Sequence, residues 1–74
     1  MNKIYQIQYW NGEGYEDSHN WCGDKLYSKK RKPIAKLLAT GYKETGDTTF
    51  QYPYEKVIDE YTVFFAKIVE YEVE

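Results

Sequence analysis

The sequence predicts an α+β domain: a three- to four-stranded antiparallel sheet with one short amphipathic helix packed on one face, in the order ββαβ or ββαββ. Three stretches carry this expectation. Residues 4–10, "IYQIQYW", alternate Tyr5, Ile7 and Tyr9 with Gln6 and Gln8, the period of a strand with one wetter face. Ile34, Leu37, Leu38 and Tyr42 recur at helical spacing. The stretch "YTVFFAKIVEYEVE", residues 61–74, is rich in β-branched and aromatic residues.

After the first strand comes Asn11-Gly12-Glu13-Gly14. Asn-Gly accepts the positive φ angles of a tight turn, so a hairpin turn is expected here, with a second strand returning antiparallel within residues 15–27. The helix is expected over roughly Arg31–Thr40, with Pro33 in its first turn, Ser28 as a natural cap and Gly41 as its left-handed stop. "ETGDTT", residues 44–49, reads as a turn. Phe50–Tyr54 reads as a short strand or an extended loop, and Lys56–Glu60 as a polar turn. The last strand is expected through Val63–Val73. Val69, Tyr71 and Val73 alternate there with Glu70, Glu72 and Glu74, which suggests one core face and one acidic face. Val63, Phe64 and Phe65 are apolar on both faces, as in a central strand.

Seventy-four residues make one small domain, 1–74, with a limited core and little room for a multi-part active site. No apolar run approaches the ~18 residues of a membrane span, and the first ten residues alternate rather than forming a signal-peptide core. Cys22 is the only cysteine, so no internal disulfide is expected, and a reducing compartment, most simply the cytoplasm, is the natural setting. Nine Tyr, three Phe and two Trp are the anomaly of the composition: strands favour such residues, and, alternatively, some of them form a recognition face.

Charge is distributed unevenly. Residues 1–24 hold one lysine against four acids, residues 25–43 hold seven cations and no acid, and residues 44–74 hold two lysines against eight acids. Lys29, Lys30, Arg31 and Lys32 fall at the start of the helix, where the macrodipole disfavours cations. Three roles fit such a layout. The basic segment neutralises acidic strands of its own chain or is simply solvated. Alternatively, Lys29–Lys32 hold nucleic-acid phosphates while tyrosines stack on bases, although the chain as a whole is acidic, with net charge −2. In the third, the acidic last strand, with Tyr61, Glu70, Tyr71 and Glu72 and with Tyr52 or Tyr54 nearby, meets a basic surface of a protein partner.

Little points to catalysis. His19 and Cys22 leave only carboxylates such as Asp17 and Asp24 to complete the four ligands of zinc, against a plain polar strand with a half-buried cysteine, and they lack the orienting group that a nucleophile pair needs. Asn11–Gly14 lacks the Gly-Lys-Ser/Thr ending of a phosphate loop. Asp59-Glu60 and Glu70/Glu72 read as solvated carboxylates. No enzyme, metal or cofactor is expected.

With "KIYQIQYW" in the first strand, a polar hairpin, "LYSKK" leading into a short helix and an acidic last strand, the chain resembles small accessory proteins encoded by bacteriophages and prophages of Gram-positive bacteria. The resemblance implies an accessory protein, often one that binds and inhibits a host or defence protein, working in the host cytoplasm. It maps no functional residues. The basic segment departs from the all-acidic surfaces of nucleic-acid mimics. Together these readings predict a non-enzymatic binding protein that occupies a protein surface. The alternative is a nucleic-acid-binding accessory using Lys29–Lys32. One helix covers only one face of a sheet, so the nearly continuous apolar residues Val63, Phe64, Phe65, Ala66 and Ile68 also predict a homodimer or a hetero-complex through the other face.

Overall fold

The first and last strands of the chain lie side by side. In the computed structural model, which describes residues 2–46 and 51–73, β1 (Asn2–Trp10) pairs antiparallel with β5 (Thr62–Val73), from Asn2 opposite Val73 to Trp10 opposite Phe65. β2 (Asn20–Cys22) pairs with the upper half of β1, and β4 (Tyr54–Asp59) with the start of β5. β3 (Lys43–Glu44) adds a two-residue edge on β4. The result is a five-stranded, wholly antiparallel sheet in the order β2-β1-β5-β4-β3, with one helix, α1 (Arg31–Ala39).

The α+β class and the two main strands are as expected, but the strand count is five rather than three or four. The added strands are inconspicuous in sequence. β3 has only two residues. Residues 56–59, expected in a polar turn, belong to β4, whose charged positions suit a strand with an exposed end. Residues 51–53 are not in a strand, and Phe50 and residues 47–49 of the expected turn lie outside the described residues.

The β1–β2 connection is longer than a tight hairpin. Asn11 closes it: its backbone N–H donates to the His19 carbonyl (3.1 Å), and its side-chain oxygen accepts the N–H groups of Glu13 and His19 (3.1 Å each). Its amide nitrogen donates to the Asp17 carbonyl at 2.7 Å. The intervening residues include a 3-10 turn at Tyr15–Asp17. Gly12 adopts φ +78°, and a Cβ there would strike the Val63 carbonyl oxygen. Glycine is required by both space and conformation.

The N-cap of α1 is Lys30 rather than the expected Ser28, and its side chain makes no capping bond among the described residues. The helix ends in a Schellman arrangement. Gly41 takes φ +99°, the Tyr42 N–H donates to Leu37 O (2.9 Å), and the Gly41 N–H donates to Leu38 O (3.3 Å). Tyr42 and Leu37 meet in the core, the apolar contact that accompanies this cap. The inward stripe is Pro33, Ile34 and Leu37, whereas Leu38 is 54% exposed. Pro33 lies one turn before Leu37 on the same line, and Leu38, one residue on, is turned about 100° away from it.

The buried cluster is Ile7, Leu37, Tyr42, Tyr54 and Ala66, with Tyr9, Tyr27, Ile34, Phe64 and Ile68 packed against it. Odd residues of β1 and even residues of β5 therefore face the helix. That parity overturns one expectation. Val69, Tyr71 and Val73 point away from α1, while Glu70 and Glu72 lie on the helix side at the end of the sheet.

Candidate binding surface

The sheet face opposite α1 is built by the remaining parity: Ile4, Gln6, Gln8 and Trp10 on β1, and Val63, Phe65, Lys67, Val69, Tyr71 and Val73 on β5. Among the described residues no helix or second sheet covers it. Most of these side chains are half-buried by one another, and Tyr71 and Val73 are exposed.

Its upper end is aromatic. Trp10 stacks on Phe65, with centroids 5.3 Å apart, and packs against Tyr52 at 5.4 Å. The Lys67 ammonium sits 5.0 Å from the centre of the Tyr52 ring, a cation–π contact. The long β1–β2 connection fixes the Trp10 ring, because the indole N–H donates to Glu13 O (2.9 Å) and Ser18 Oγ (3.2 Å). The middle of the face is a belt of amides. Gln8 Nε2 donates to the Tyr71 hydroxyl, which in turn donates to Gln6 Oε1, both at 3.4 Å. Gln6 Nε2 reaches the Gly23 carbonyl at 3.5 Å. The lower end is aliphatic, formed by Ile4, Val69 and Val73.

The residues singled out from sequence do not form one site. Lys29, Lys30, Arg31 and Lys32 are all exposed at the start of α1. Glu70 and Glu72 share the helix side of the sheet, and Glu70 pairs with Lys3 at 3.4 Å. Among the described residues no carboxylate lies within ion-pair distance of Lys29–Lys32. Tyr71 points to the opposite face. Tyr61, 87% exposed, sits in the β4–β5 turn, about 30 Å along β5 from Tyr71 at a strand's rise per residue. Trp10, Phe65, Gln6 and Gln8 were not singled out. Their signal was the alternation of β1, which marks Gln6 and Gln8 as one face and carries Trp10 with them.

Elsewhere the surface offers little chemistry. A groove of about 460 Å³ lies where β4 begins, between Lys30, Glu44, Pro53, Tyr54, Lys67 and Ile68. Alternation puts His19 with Trp21 (rings 5.4 Å apart) and Cys22 on the other side of β2, so the two do not converge. Among the described residues no three His, Cys, Asp or Glu side chains are grouped to hold a metal, and no helix is long and apolar enough to cross a membrane. Three tyrosine hydroxyls have raised pKa values. Tyr42 is pushed up to about 12 by burial and then by Tyr9; burial is also the main cause at Tyr9 and Tyr54. All three belong to the core packing rather than to a cleft.

Comparison with known proteins gives no significant match to a family model, a curated protein or a solved structure.

Proposed function

We propose that the chain is a small non-enzymatic binding protein that works by occupying a protein surface through the sheet face opposite α1. The kind of protein it fits is a phage-type accessory or inhibitor acting on a host or defence protein in the host cytoplasm. The observation that carries the reading is the aromatic and amide surface centred on Trp10, Phe65, Gln8 and Tyr71, which no helix or second sheet covers among the described residues. Rigid aromatic rings beside amides offer contact area at low entropic cost together with adaptable hydrogen bonding. A nucleic-acid role is less well supported. It calls for phosphate contacts and stacking on one surface, whereas Lys29–Lys32 lie with α1 and the Trp10–Tyr52–Phe65 group lies on the other face.

Capture from a Gram-positive bacterial lysate tests this, comparing the wild-type chain, Val69→Glu, and a variant with Lys29–Lys32 changed to serine. The protein retained by the wild type should also be retained by the serine variant and lost from Val69→Glu. Loss with the serine variant alone would place the contact at the helix and overturn the reading.

A further inference from the structure

We infer that the occupant of the open sheet face is a second copy of the same chain, packed face to face about a two-fold axis that crosses β1 and β5 near Gln6 and Gln8. This rests on the reading of that face as a protein-binding surface and names its partner.

Charge is the first argument. The cations of residues 29–32 and the carboxylates of Glu70 and Glu72 belong to the helix side, so two copies meeting by their open faces do not set these groups against themselves. The open face carries Lys67 on β5, whose ammonium rests on the Tyr52 ring, and, on the neighbouring β4 and β3, Glu55 opposite Lys43, one charge of each sign. The axis passes nearer the middle of the ladder than Lys67, so the two copies of Lys67 are offset rather than opposed.

The order of side chains along the strands is the second. The face runs from an aromatic end (Trp10, Phe65) through an amide belt (Gln8, Gln6) to an aliphatic end (Ile4, Val73). An axis across the strands reverses this order in the second copy. Each aromatic end then lies on an aliphatic end, and Gln6 of one copy meets Gln8 of the other. An amide holds both a donor and an acceptor, so it can pair with its own kind across a two-fold without an unmatched charge. A two-fold interface demands this kind of self-matching.

Size is the third. The β1–β5 ladder has nine paired positions, about 30 Å of strand, and neighbouring strands widen the face to about 15–20 Å. That gives roughly 500 Å² in projection per copy, near the lower limit of about 1,000 Å² in total for a specific interface. The expected dimer is therefore reversible rather than obligate.

Sedimentation equilibrium on the full chain from about 1 to 200 µM, a range in which an interface this small should dissociate, is the test. The wild type should shift with concentration from 8.9 kDa towards twice that mass. Gln8→Lys sets a second ammonium beside its register partner Lys67 in each copy, so unpaired like charges gather near the axis, and it should weaken association at least about tenfold. Gln8→Met, nearly isosteric and uncharged, should keep it. Leu38→Glu, on the exposed side of α1, should leave it unchanged, and far-UV circular dichroism should show all variants folded. A concentration-independent 8.9 kDa species would overturn the dimer. A dimer that survives Gln8→Lys but is lost in Leu38→Glu would also overturn it. If the dimer fails while Val69→Glu still loses a captured protein, the open face stands as a binding surface with a different occupant. If Val69→Glu captures as the wild type does, the underlying reading fails as well.

Discussion

The Trp10 ring stacks on Phe65 with centroids 5.3 Å apart, joining β1 to β5 on the face away from the helix. The stack is held in place by the indole N–H, which is bonded to Glu13 O and Ser18 Oγ. Trp10→Phe keeps an aromatic ring and removes the donor. It should cost about 1 kcal/mol in urea unfolding, the net worth of a hydrogen bond of this kind. No change in midpoint would mean that the indole bonds do not position the ring.

On α1, Leu37 is fully buried and Leu38 is 54% exposed. Leu37→Ala should cost ~2–5 kcal/mol, enough to unfold a domain of this size, because it removes methyl groups from the cluster and leaves a cavity. Leu38→Ala should stay within about 0.5 kcal/mol. Equal effects in equilibrium unfolding would contradict the inward stripe of Pro33, Ile34 and Leu37.

Gly12 combines φ +78° with the Val63 carbonyl in the path of any Cβ and the Phe65 ring at 3.2 Å. Gly12→Ala should therefore destabilise by about 2 kcal/mol or more, since the left-handed backbone alone costs an alanine ~1 kcal/mol or more. A thermal melt showing wild-type stability would show that the connection can be rebuilt without this approach.

Tyr42 ionises at about 12 in the folded chain, raised from 10.0 chiefly by burial and further by Tyr9. Unfolding returns the hydroxyl to its ordinary value. The stability gained by keeping it neutral is complete below pH 10 and is lost as the pH rises from about 10 to about 12. The shifts at Tyr9 and Tyr54 have the same sign. Tyr42→Phe should move the midpoint of alkaline unfolding, followed by circular dichroism and phenolate absorbance, to higher pH. An unmoved midpoint would exclude Tyr42 as a contributor.

Much of this architecture is legible in the sequence because local chemistry and tertiary structure agree there. The alternation of Tyr5, Ile7 and Tyr9 marks β1, and Gly41 stops α1 where a left-handed residue is needed. The facing of β5 is not legible, because residues 63–66 are apolar on both sides and give no parity, and apolar residues resume at 68 and 69 after the single Lys67. Alternation after that point suggested a core face of Val69, Tyr71 and Val73, whereas Ala66 and Ile68, one step out of phase, are the residues beneath the helix. The Asn-Gly signal was sound as a reversal but silent on length, since Asn11 uses its side chain to bridge as far as His19. The binding surface was read only in part. Tyr71 was singled out with Glu70 and Glu72, its neighbours in sequence, but its spatial neighbours are Gln6 and Gln8. That juxtaposition depends on pairing the two ends of the chain, which no local period encodes.

Contact through the open face, rather than through the charged helix, is tested most directly by nuclear magnetic resonance of the ¹⁵N-labelled chain over a concentration series. The side-chain amides of Gln6 and Gln8 and the indole N–H of Trp10 should shift together as concentration rises, with the backbone of Lys29–Lys36 unmoved. Shifts confined to Lys29–Lys36, with those three side chains unchanged, would contradict the account.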